Sequence, residues 1–297
     1  MAECAVVAPT GLEEALALLA EVGPEALPVA GGVWVTLTLR SGLVQPRLLL
    51  SLRRIAELGE LAVERDGTLR IGALATHRAV ERATLVRERW PVLAETLAEV
   101  ANVRVREQAT LVGNLCEADP ASDPPAVLAA LGATVELVSR RGRRIVPVAD
   151  FVVGAYQTVR EPDELATAVR VPALPVGAGA AYLKFRTRSH EDRPAIGVAA
   201  VIVLDPAQRI GHLDVVVGAA GDRPQRVPEA LAAARGAWCD EALAATLAEA
   251  YAEAVETVAD LRASAWYRRE LVRVFVARAV CLAAERAARD AGGGQDG

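Results

Sequence analysis

Lysine is almost absent from this chain of 297 residues. Of its 33 basic residues only Lys184 is a lysine, and all the others are arginines. The two side chains differ in shape, hydration and donor geometry, so a solitary lysine indicates a place that requires a compact ammonium group. Lys184 is therefore a candidate functional residue.

Cysteine and histidine are scarce as well, with four and three residues respectively. They lie far apart along the chain and form no C-x-x-C or paired-histidine motif of the kind that a zinc site or an iron–sulfur cluster needs. We therefore expect no metal bound by this chain itself. Rossmann, Walker and GxSxG motifs are also missing, and the sequence indicates no catalytic nucleophile.

Neither a basic charge excess nor a long apolar run is present. The net charge is -5, which argues against nucleic-acid binding. No apolar run approaches the roughly 18 residues that a membrane span needs, and the first residues lack a basic stretch followed by an apolar core. The chain is 53% apolar and 24% charged, which is typical of a globular protein. We expect a cytoplasmic protein without a membrane span.

The apolar periodicity indicates a mixture of helices and strands. A first helix is expected from Leu12, with a capping-box pattern at Thr10, and a short strand is expected from Leu27 to Ala30. The segment that follows is ambiguous. The β-branched residues among Val33–Thr38 favour extended structure, whereas a phosphate site would favour a helix N-terminus there.

Later segments are clearer. Asp66-Gly67 predicts a hairpin turn, and the basic cluster Arg140–Arg144 is better explained as a solvated hairpin turn than as a binding patch. Beyond Gly179 the pattern predicts three antiparallel strands and then helices. Asp240 is expected to cap one of these helices.

Two glycine-containing segments could hold a phosphate with backbone N–H groups. The first is Gly31-Gly32, and the second is Thr110–Asn114, which we expect to be a thin loop at the end of a strand. Polar oxygens follow in Ala118–Asp123. For Asp123 two interpretations stay open, a helix N-cap before Pro124 or a contact to a ligand.

In these segments the sequence resembles the FAD-binding medium subunit of the molybdenum hydroxylases, the family of carbon monoxide dehydrogenase and of the flavin domain of xanthine dehydrogenase. The resemblance extends over nearly the whole chain. Its marks are Ala30-Gly31-Gly32, Ile71–His77, Val105-Arg106, Thr110–Asn114, Ala118–Asp123, Tyr182–Phe185 and Trp266–Arg269.

The resemblance implies an α+β fold, with a bilobed FAD-binding domain of the PCMH and vanillyl-alcohol-oxidase-like type. A smaller C-terminal domain would hold a three-stranded antiparallel sheet and helices. We expect the first domain at residues 1–175, with lobes at about 1–55 and 56–175, and the second at residues 176–297.

The resemblance also implies FAD as the cofactor and a set of residues that bind it. The chain would be the flavoprotein subunit of an FAD-dependent oxidoreductase, passing electrons from an iron–sulfur/molybdopterin partner through FAD to an acceptor. A [2Fe-2S] small subunit and a molybdopterin large subunit would be its partners. Lys184 would lie near the flavin and bias its charge; the cofactor-binding residues would be Ala30, Gly31, Gly32, Val33, Trp34, Thr110, Gly113, Asn114, Asp119, Asp123 and Lys184.

Several positions depart from the family pattern. Val33 and Trp34 stand where a hydroxyl, amide or acidic pair is usual, Glu117 stands where histidine is frequent, and Val112 replaces a glycine. If position 112 needs a positive φ, valine would be strained there by about 1–2 kcal/mol. The alternative hypothesis is a degenerate member that binds FAD weakly or not at all. It would act as a scaffold subunit, or as a stand-alone enzyme on a small molecule with the charged loop Arg186–Arg193 at its site.

Overall fold

The computed structural model describes residues 4–292, the last three of them by their backbone alone. The chain forms two compact units, and neither is continuous in sequence. The first contains the residues up to Ala83, Asn102–Asp119 and Gly132–Pro172; the second contains Thr84–Ala101, Pro120–Leu131 and the residues from Ala173 onward.

The first unit opens with a three-stranded parallel sheet. Strand β3 lies between β1 and β2, and the buried side chains of Leu48 and Leu50 contribute to the core. Helix α2 follows β2 directly, so the β-branched residues after Gly32 are helical here rather than extended. The elements are β1 (Ala5–Val7), α1 (Leu12–Val22), β2 (Ala26–Val29), α2 (Val33–Arg40) and β3 (Leu48–Ser51).

A five-stranded antiparallel sheet makes up most of the rest of the first unit, in the order β4-β5-β10-β6-β7. Both predicted hairpins are confirmed, and the Asp66 carboxylate accepts a hydrogen bond from the Thr68 backbone N–H at 2.9 Å in the first turn. The strands are β4 (Leu61–Val63), β5 (Leu69–Gly72), β6 (Thr134–Ser139), β7 (Gly142–Pro147), β8 (Val152–Gly154), β9 (Gln157–Thr158) and β10 (Leu165–Val171), with β8 and β9 forming a separate pair.

Four further short helices belong to this unit. They are α3 (His77–Arg82), α6 (Val103–Gln108), α7 (Leu111–Glu117) and α9 (Val148–Phe151). The expectation of a strand ahead of Thr110 is wrong, because α6 occupies that place. The expectation of a loop at Thr110–Asn114 is also wrong, since these residues are the N-cap and first turn of α7.

The second unit is built on an antiparallel sheet in the order β11-β12-β13. The long helix α12 packs on β11 and β12, and α8 packs on β12 and β13. The strands are β11 (Ala178–Phe185), β12 (Ile196–Leu204) and β13 (Ile210–Gly218), and the helices are α4 (Thr84–Arg89), α5 (Pro91–Ala98), α8 (Pro124–Ala130), α10 (Pro228–Ala234), α11 (Glu241–Ala254) and α12 (Ala265–Gly292).

These elements confirm the expected α+β class and the three-stranded sheet with helices toward the C-terminus. The predicted domain boundary between residues 175 and 176 stays a prediction. Within residues 4–292, no helix has the length and apolar character that a membrane crossing requires.

Candidate functional site

The N-terminus of α2 is the first part of the candidate site. Gly32 holds the left-handed conformation at φ 74° and is the N-cap of α2, and no side chain caps this helix end. The first N–H groups of a helix have no acceptor within the helix, and the helix dipole adds a partial positive charge there. Ala30, Gly31, Val33 and Trp34 surround this end and are all half-buried. Such an end is suited to an anion.

Gly31 brings this helix end against the second glycine-containing segment. A Cβ atom at position 31 would lie 1.9 Å from the Gln108 backbone oxygen and 3.1 Å from the Ala109 Cα. Every other residue type would therefore push the two backbones apart. The structure thus brings together two of the predicted binding segments, about 80 residues apart in sequence, within the first unit.

The second segment is the N-terminus of α7. The Thr110 hydroxyl caps it by accepting a hydrogen bond from the Gly113 N–H at 3.1 Å, and the Leu111 N–H donates to the Ala75 oxygen at 3.2 Å. Glycine at 113 allows this cap, because a Cβ there would lie 2.7 Å from the Thr110 Oγ1. Two N–H groups of the first turn are thus already satisfied, and α7 has fewer free donors than α2.

Val112 does not have the strained backbone that the sequence suggested. It is the second residue of α7, it is absent from the positive-φ residues of the described chain, and its side chain is 2% exposed. Valine at this position therefore fills the core of the first unit. Val112 therefore does not obstruct a cofactor through backbone strain, and the expectation of a strained valine is wrong.

The segment around His77 is joined to the Thr110 turn by backbone contacts. The His77 backbone N–H donates to the Ala109 oxygen at 2.8 Å, and Thr76 and Thr110 form an isolated β-bridge. The His77 ring is buried, and its Nδ1 has no hydrogen-bond partner among the described residues. Burial first, and the nearby Arg106 guanidinium second, lower the pKa of His77 to about 4. The ring is neutral at physiological pH.

The remaining predicted residues of the first unit lie near the ends of α7. Asn114 is in its first turn, and its backbone N–H donates to the Thr110 oxygen at 2.9 Å. Asp119 follows the α7 C-cap, Ala118, and is buried. Their roles as cofactor contacts stay predictions.

In the second unit, Lys184 and Asp123 form a buried ion pair. The Lys184 Nζ lies 2.9 Å from the Asp123 Oδ2, and the two side chains are 2% and 5% exposed. The Lys184 ammonium also donates to the Glu99 backbone oxygen, and the Tyr182 hydroxyl donates to the Asp123 Oδ1 at 2.6 Å. Asp123 stands at the N-cap position of α8, but its side chain does not cap the helix. The N-cap interpretation of this carboxylate is therefore wrong.

Burial dominates the electrostatics of this cluster. It raises the pKa of Asp123, and the Lys184 ammonium partly offsets that effect. Burial also raises the pKa of the Tyr182 phenol, with the Asp123 charge acting in the same direction. Gly197 provides the space, since a Cβ there would lie 2.3 Å from the Tyr182 hydroxyl oxygen. Tyr182, Glu99 and Gly197 could not be identified as partners from the sequence, because no local signal connects them with Asp123 or Lys184 across the chain.

The charged loop Arg186–Arg193 is held by its own residues and by Glu99, the C-cap of α5. Arg186 pairs with the Glu99 carboxylate and contacts His190. The Asp192 carboxylate accepts hydrogen bonds from the backbone N–H groups of Arg188 and Ser189 at 3.1 and 2.9 Å. These contacts organise a turn and do not define a separate catalytic site.

The donor set of the first unit fits a dinucleotide diphosphate. The uncapped N-terminus of α2 has free backbone N–H donors. The Thr110 hydroxyl accepts a hydrogen bond in its cap, so its own proton is still able to donate. The close approach of Gly31 to Gln108 holds the α2 end beside the Thr110 turn. Among the described residues, no group of three histidine, cysteine or acidic side chains could hold a metal ion.

Comparisons with known proteins agree with this chemistry. The family described as FAD binding domain in molybdopterin dehydrogenase matches residues 2–174, and the CO dehydrogenase flavoprotein C-terminal domain matches residues 180–283. The chain belongs to this family of FAD-binding oxidoreductase subunits, and its cofactor is FAD.

Individual relatives span almost the whole chain. The carbon monoxide dehydrogenase medium chain of Afipia carboxidovorans is 34% identical over 281 residues, which are 94% of this chain and 96% of that protein. The 6-hydroxypseudooxynicotine dehydrogenase complex subunit alpha of Paenarthrobacter nicotinovorans is 32% identical, with 93% of both chains covered. A chain in the crystal structure of quinoline 2-oxidoreductase from Pseudomonas putida 86 is similar with a TM-score of 0.89 at 31% identity, covering 96% of this chain and 98% of that one.

Proposed function

We propose that this chain is the flavoprotein subunit of a molybdenum hydroxylase-type oxidoreductase. It receives electrons from iron–sulfur and molybdopterin partner subunits and transfers them to an acceptor. Bound FAD supplies the redox chemistry, and the protein supplies its position and electrostatic environment. The family membership supports the cofactor, and the names of its relatives, a medium chain and a complex subunit, support an assembly with partners.

The observation that carries the proposal is the close approach of Gly31 to Gln108. It holds the uncapped N-terminus of α2 beside the Thr110 turn, so that backbone N–H groups and one hydroxyl converge. In this arrangement Gly31, Gly32 and the first-turn N–H groups of α2 would bind the FAD diphosphate. The Thr110 hydroxyl would donate a further hydrogen bond.

The structure removes one of the sequence departures that favoured a cofactor-free scaffold. Val112 is one of the departures from the family pattern that motivated this hypothesis, together with Val33 and Trp34, and it is an ordinary buried helical residue. Asp123 and Lys184 are bound to each other. A contact between Lys184 and the cofactor would have to use the ammonium proton that neither Asp123 nor the Glu99 backbone oxygen accepts. A contact between Asp123 and the cofactor would have to use a carboxylate lone pair that neither Lys184 nor Tyr182 occupies. Those two contacts stay predictions.

The visible absorption spectrum of the purified chain tests the cofactor. We expect a flavin spectrum that dithionite bleaches, or its appearance after incubation with FAD. Gly31→Ala should lose the flavin, because its Cβ would displace the Gln108 backbone. Gly11→Ala is the matched control, since nothing lies within 4 Å of a Cβ there. A colourless wild-type chain that cannot be reconstituted would contradict the proposal.

Metal analysis of the affinity-purified complex tests the partners. If the tagged chain is isolated from its native cells, iron, acid-labile sulfide and molybdenum should co-purify with it in additional chains. Isolation of the flavoprotein alone, without any metal in associated chains, would contradict the assembly and leave FAD binding untouched.

A further inference from the structure

Two of the four cysteines lie on the helix pair α11 and α12 of the second unit. Cys239 directly precedes the N-cap of α11, and Cys281 lies in the second half of α12. Both are free thiols, both are half-buried, and both pack against the apolar core of the second unit. Neither belongs to the candidate FAD site, so the proposed function gives them no role.

The packing of α11 on α12 sets the register between the two cysteines. The helices pack on each other and a short connection joins them, so they run antiparallel. The Arg273 guanidinium donates to the Glu249 carboxylate across the pair at 2.6 Å. Cys281 lies eight positions after Arg273, and Glu241 lies eight positions before Glu249. Because the rise per residue is the same in both helices, Cys281 is level with Glu241.

The start of α11 turns the Cys239 side chain toward the core. The N-cap is Asp240, whose carboxylate accepts a hydrogen bond from the Leu243 N–H at 2.8 Å. An apolar residue that precedes an N-cap commonly packs against the fourth residue of the helix. That residue is Ala244, which is 1% exposed in the core that α11 shares with α12. Cys239 therefore lies on the buried side of α11, one turn or less from the level of Cys281.

The electrostatics of the two thiols agree with this placement. Burial raises the pKa of Cys239 to about 11, and the charges of Cys281 and Asp240 act in the same direction. Burial also raises the pKa of Cys281, with further contributions from Glu241 and Glu285. Both thiols are protonated at neutral pH, so the pair reacts slowly and mild alkali speeds its oxidation. Among the described side chains, none completes a group of three that could turn the pair into a metal site.

We propose that Cys239 and Cys281 form a modification site, at which hydrogen peroxide converts the two thiols into a disulfide that links the start of α11 to α12. One thiolate attacks the peroxide, so that an S–O bond forms and the O–O bond breaks. With the thiol proton this leaves a sulfenic acid and one water. The second thiol attacks that sulfur, the S–S bond forms, the S–O bond breaks and a second water leaves. The two sulfurs lose two electrons and the peroxide gains them, and a thiol reductant reverses the change.

Peptide mapping of the full-length chain tests the link. The reduced chain is treated with hydrogen peroxide in mild alkali, alkylated and digested without reductant. We expect a cross-linked peptide pair that contains Cys239 and Cys281 and that dithiothreitol separates. Cys239→Ser and Cys281→Ser should each abolish it, whereas the matched control Cys116→Ser should leave it in place. Singly overoxidised cysteines without a link, links to Cys4 or Cys116, or links between two chains would overturn the inference.

Urea unfolding shows whether the link fits the native register of the helices. A disulfide that fits restricts the unfolded chain, so oxidation should raise the urea midpoint of the wild type by about 0.5–1 M. Cys239→Ser treated in the same way should keep the midpoint of its reduced form. An unchanged or lower midpoint in the cross-linked wild type would show that α11 and α12 leave their register to form the bond, and it would overturn the inference. Neither measurement depends on the flavin, so both failures leave the proposed function intact.

Discussion

The Lys184 ammonium has acceptors on two sides, the Asp123 carboxylate and the Glu99 backbone oxygen, each at 2.9 Å. Its side chain is 2% exposed, so the slot is closed to water. A guanidinium is larger and planar, and its donors diverge in a fixed fork. The solitary lysine is thus explained by the geometry of this slot, whatever further role it has toward the cofactor.

Removal of the Lys184 charge should destabilise the protein strongly. Lys184→Met leaves the Asp123 carboxylate buried without its counter-ion, which typically costs about 3 kcal/mol or more. Urea unfolding of the full chain measures the loss. The second change Asp123→Asn should recover part of it. Arg47→Met is the control, because the Arg47–Glu25 pair is 66% and 55% exposed and should contribute little. Equal losses in the two single variants would contradict this account.

Gly197 should be intolerant of any side chain while Tyr182 is present. A Cβ would lie 2.3 Å from the Tyr182 hydroxyl oxygen, so Gly197→Ala must displace the phenol from Asp123. We expect a loss of about 1–3 kcal/mol in the free energy of unfolding. In a Tyr182→Leu background the same alanine should cost clearly less. A cost that is independent of residue 182 would show that the clash lies elsewhere.

Among the secondary-structure elements, those with strong local signals were predictable. Asp66-Gly67 specified its hairpin through turn chemistry alone. Helix α7 was missed because glycine and asparagine in its seven residues lower helical propensity. The signal that could have found it is the Thr110 hydroxyl three residues before Gly113, a spacing typical of an N-cap. Helix α2 was ambiguous since its β-branched residues favour strands until tertiary packing decides.

Val112 is helical, so we expect the opposite of what a loop with a positive φ at this position would predict. Val112→Gly should not improve FAD uptake, because no positive φ is relieved. It should instead lower the free energy of unfolding by about 2–3 kcal/mol, through lost burial and the poor helix propensity of glycine. Urea unfolding and flavin titration measure the two effects. Val176→Gly is the control, at a fully exposed loop position. Increased flavin uptake in Val112→Gly would restore the earlier hypothesis.

Helix α3 should make the first unit sensitive to mild acid. The pKa of His77 falls from its ordinary 6.5 to about 4 in the folded chain, so the unfolded chain binds more protons between these values. Stability is therefore present above pH 6.5 and is lost as pH falls toward 4. From pH 7 to pH 5 the loss is about 2 kcal/mol.

The measurement is urea unfolding at both pH values. In His77→Gln the difference in free energy between pH 7 and pH 5 should shrink by that amount. His212→Gln removes an exposed histidine and is the matched control for the substitution itself. If the pH dependence is the same in His77→Gln and wild type, His77 is not the group that titrates.

At the scale of the whole molecule, the sequence predicted the fold class but not which segments pack together. The expected division at residue 175 follows the change from mixed helix and strand to antiparallel strands. The compact units alternate along the chain, and the second one includes Thr84–Ala101 and Pro120–Leu131. Nothing local in these segments shows that Asp123 meets Tyr182, 59 residues later. Such pairings arise only from tertiary structure.

A fragment of residues 176–297 should therefore fail to fold independently. It retains the β11–β13 sheet, α10, α11 and α12, but it lacks α8, which covers part of β12 and β13. It also lacks Asp123 and Glu99, so Lys184 would lose both acceptors that satisfy its buried ammonium. Loss of packing on a sheet together with an unpaired buried charge exceeds the marginal stability of a domain this small.

Urea unfolding and near-ultraviolet circular dichroism compare this fragment with the full chain. We expect a cooperative transition in the full chain, and a shallow one without fixed aromatic signals in the fragment. Lys184→Met within the fragment separates the causes: with Asp123 absent, loss of the unpaired ammonium should raise the fragment's residual order, whereas the same substitution destabilises the full chain. A fragment with a sharp transition and native aromatic signals would instead make residues 176–297 a folding domain in their own right, as the sequence alone suggested.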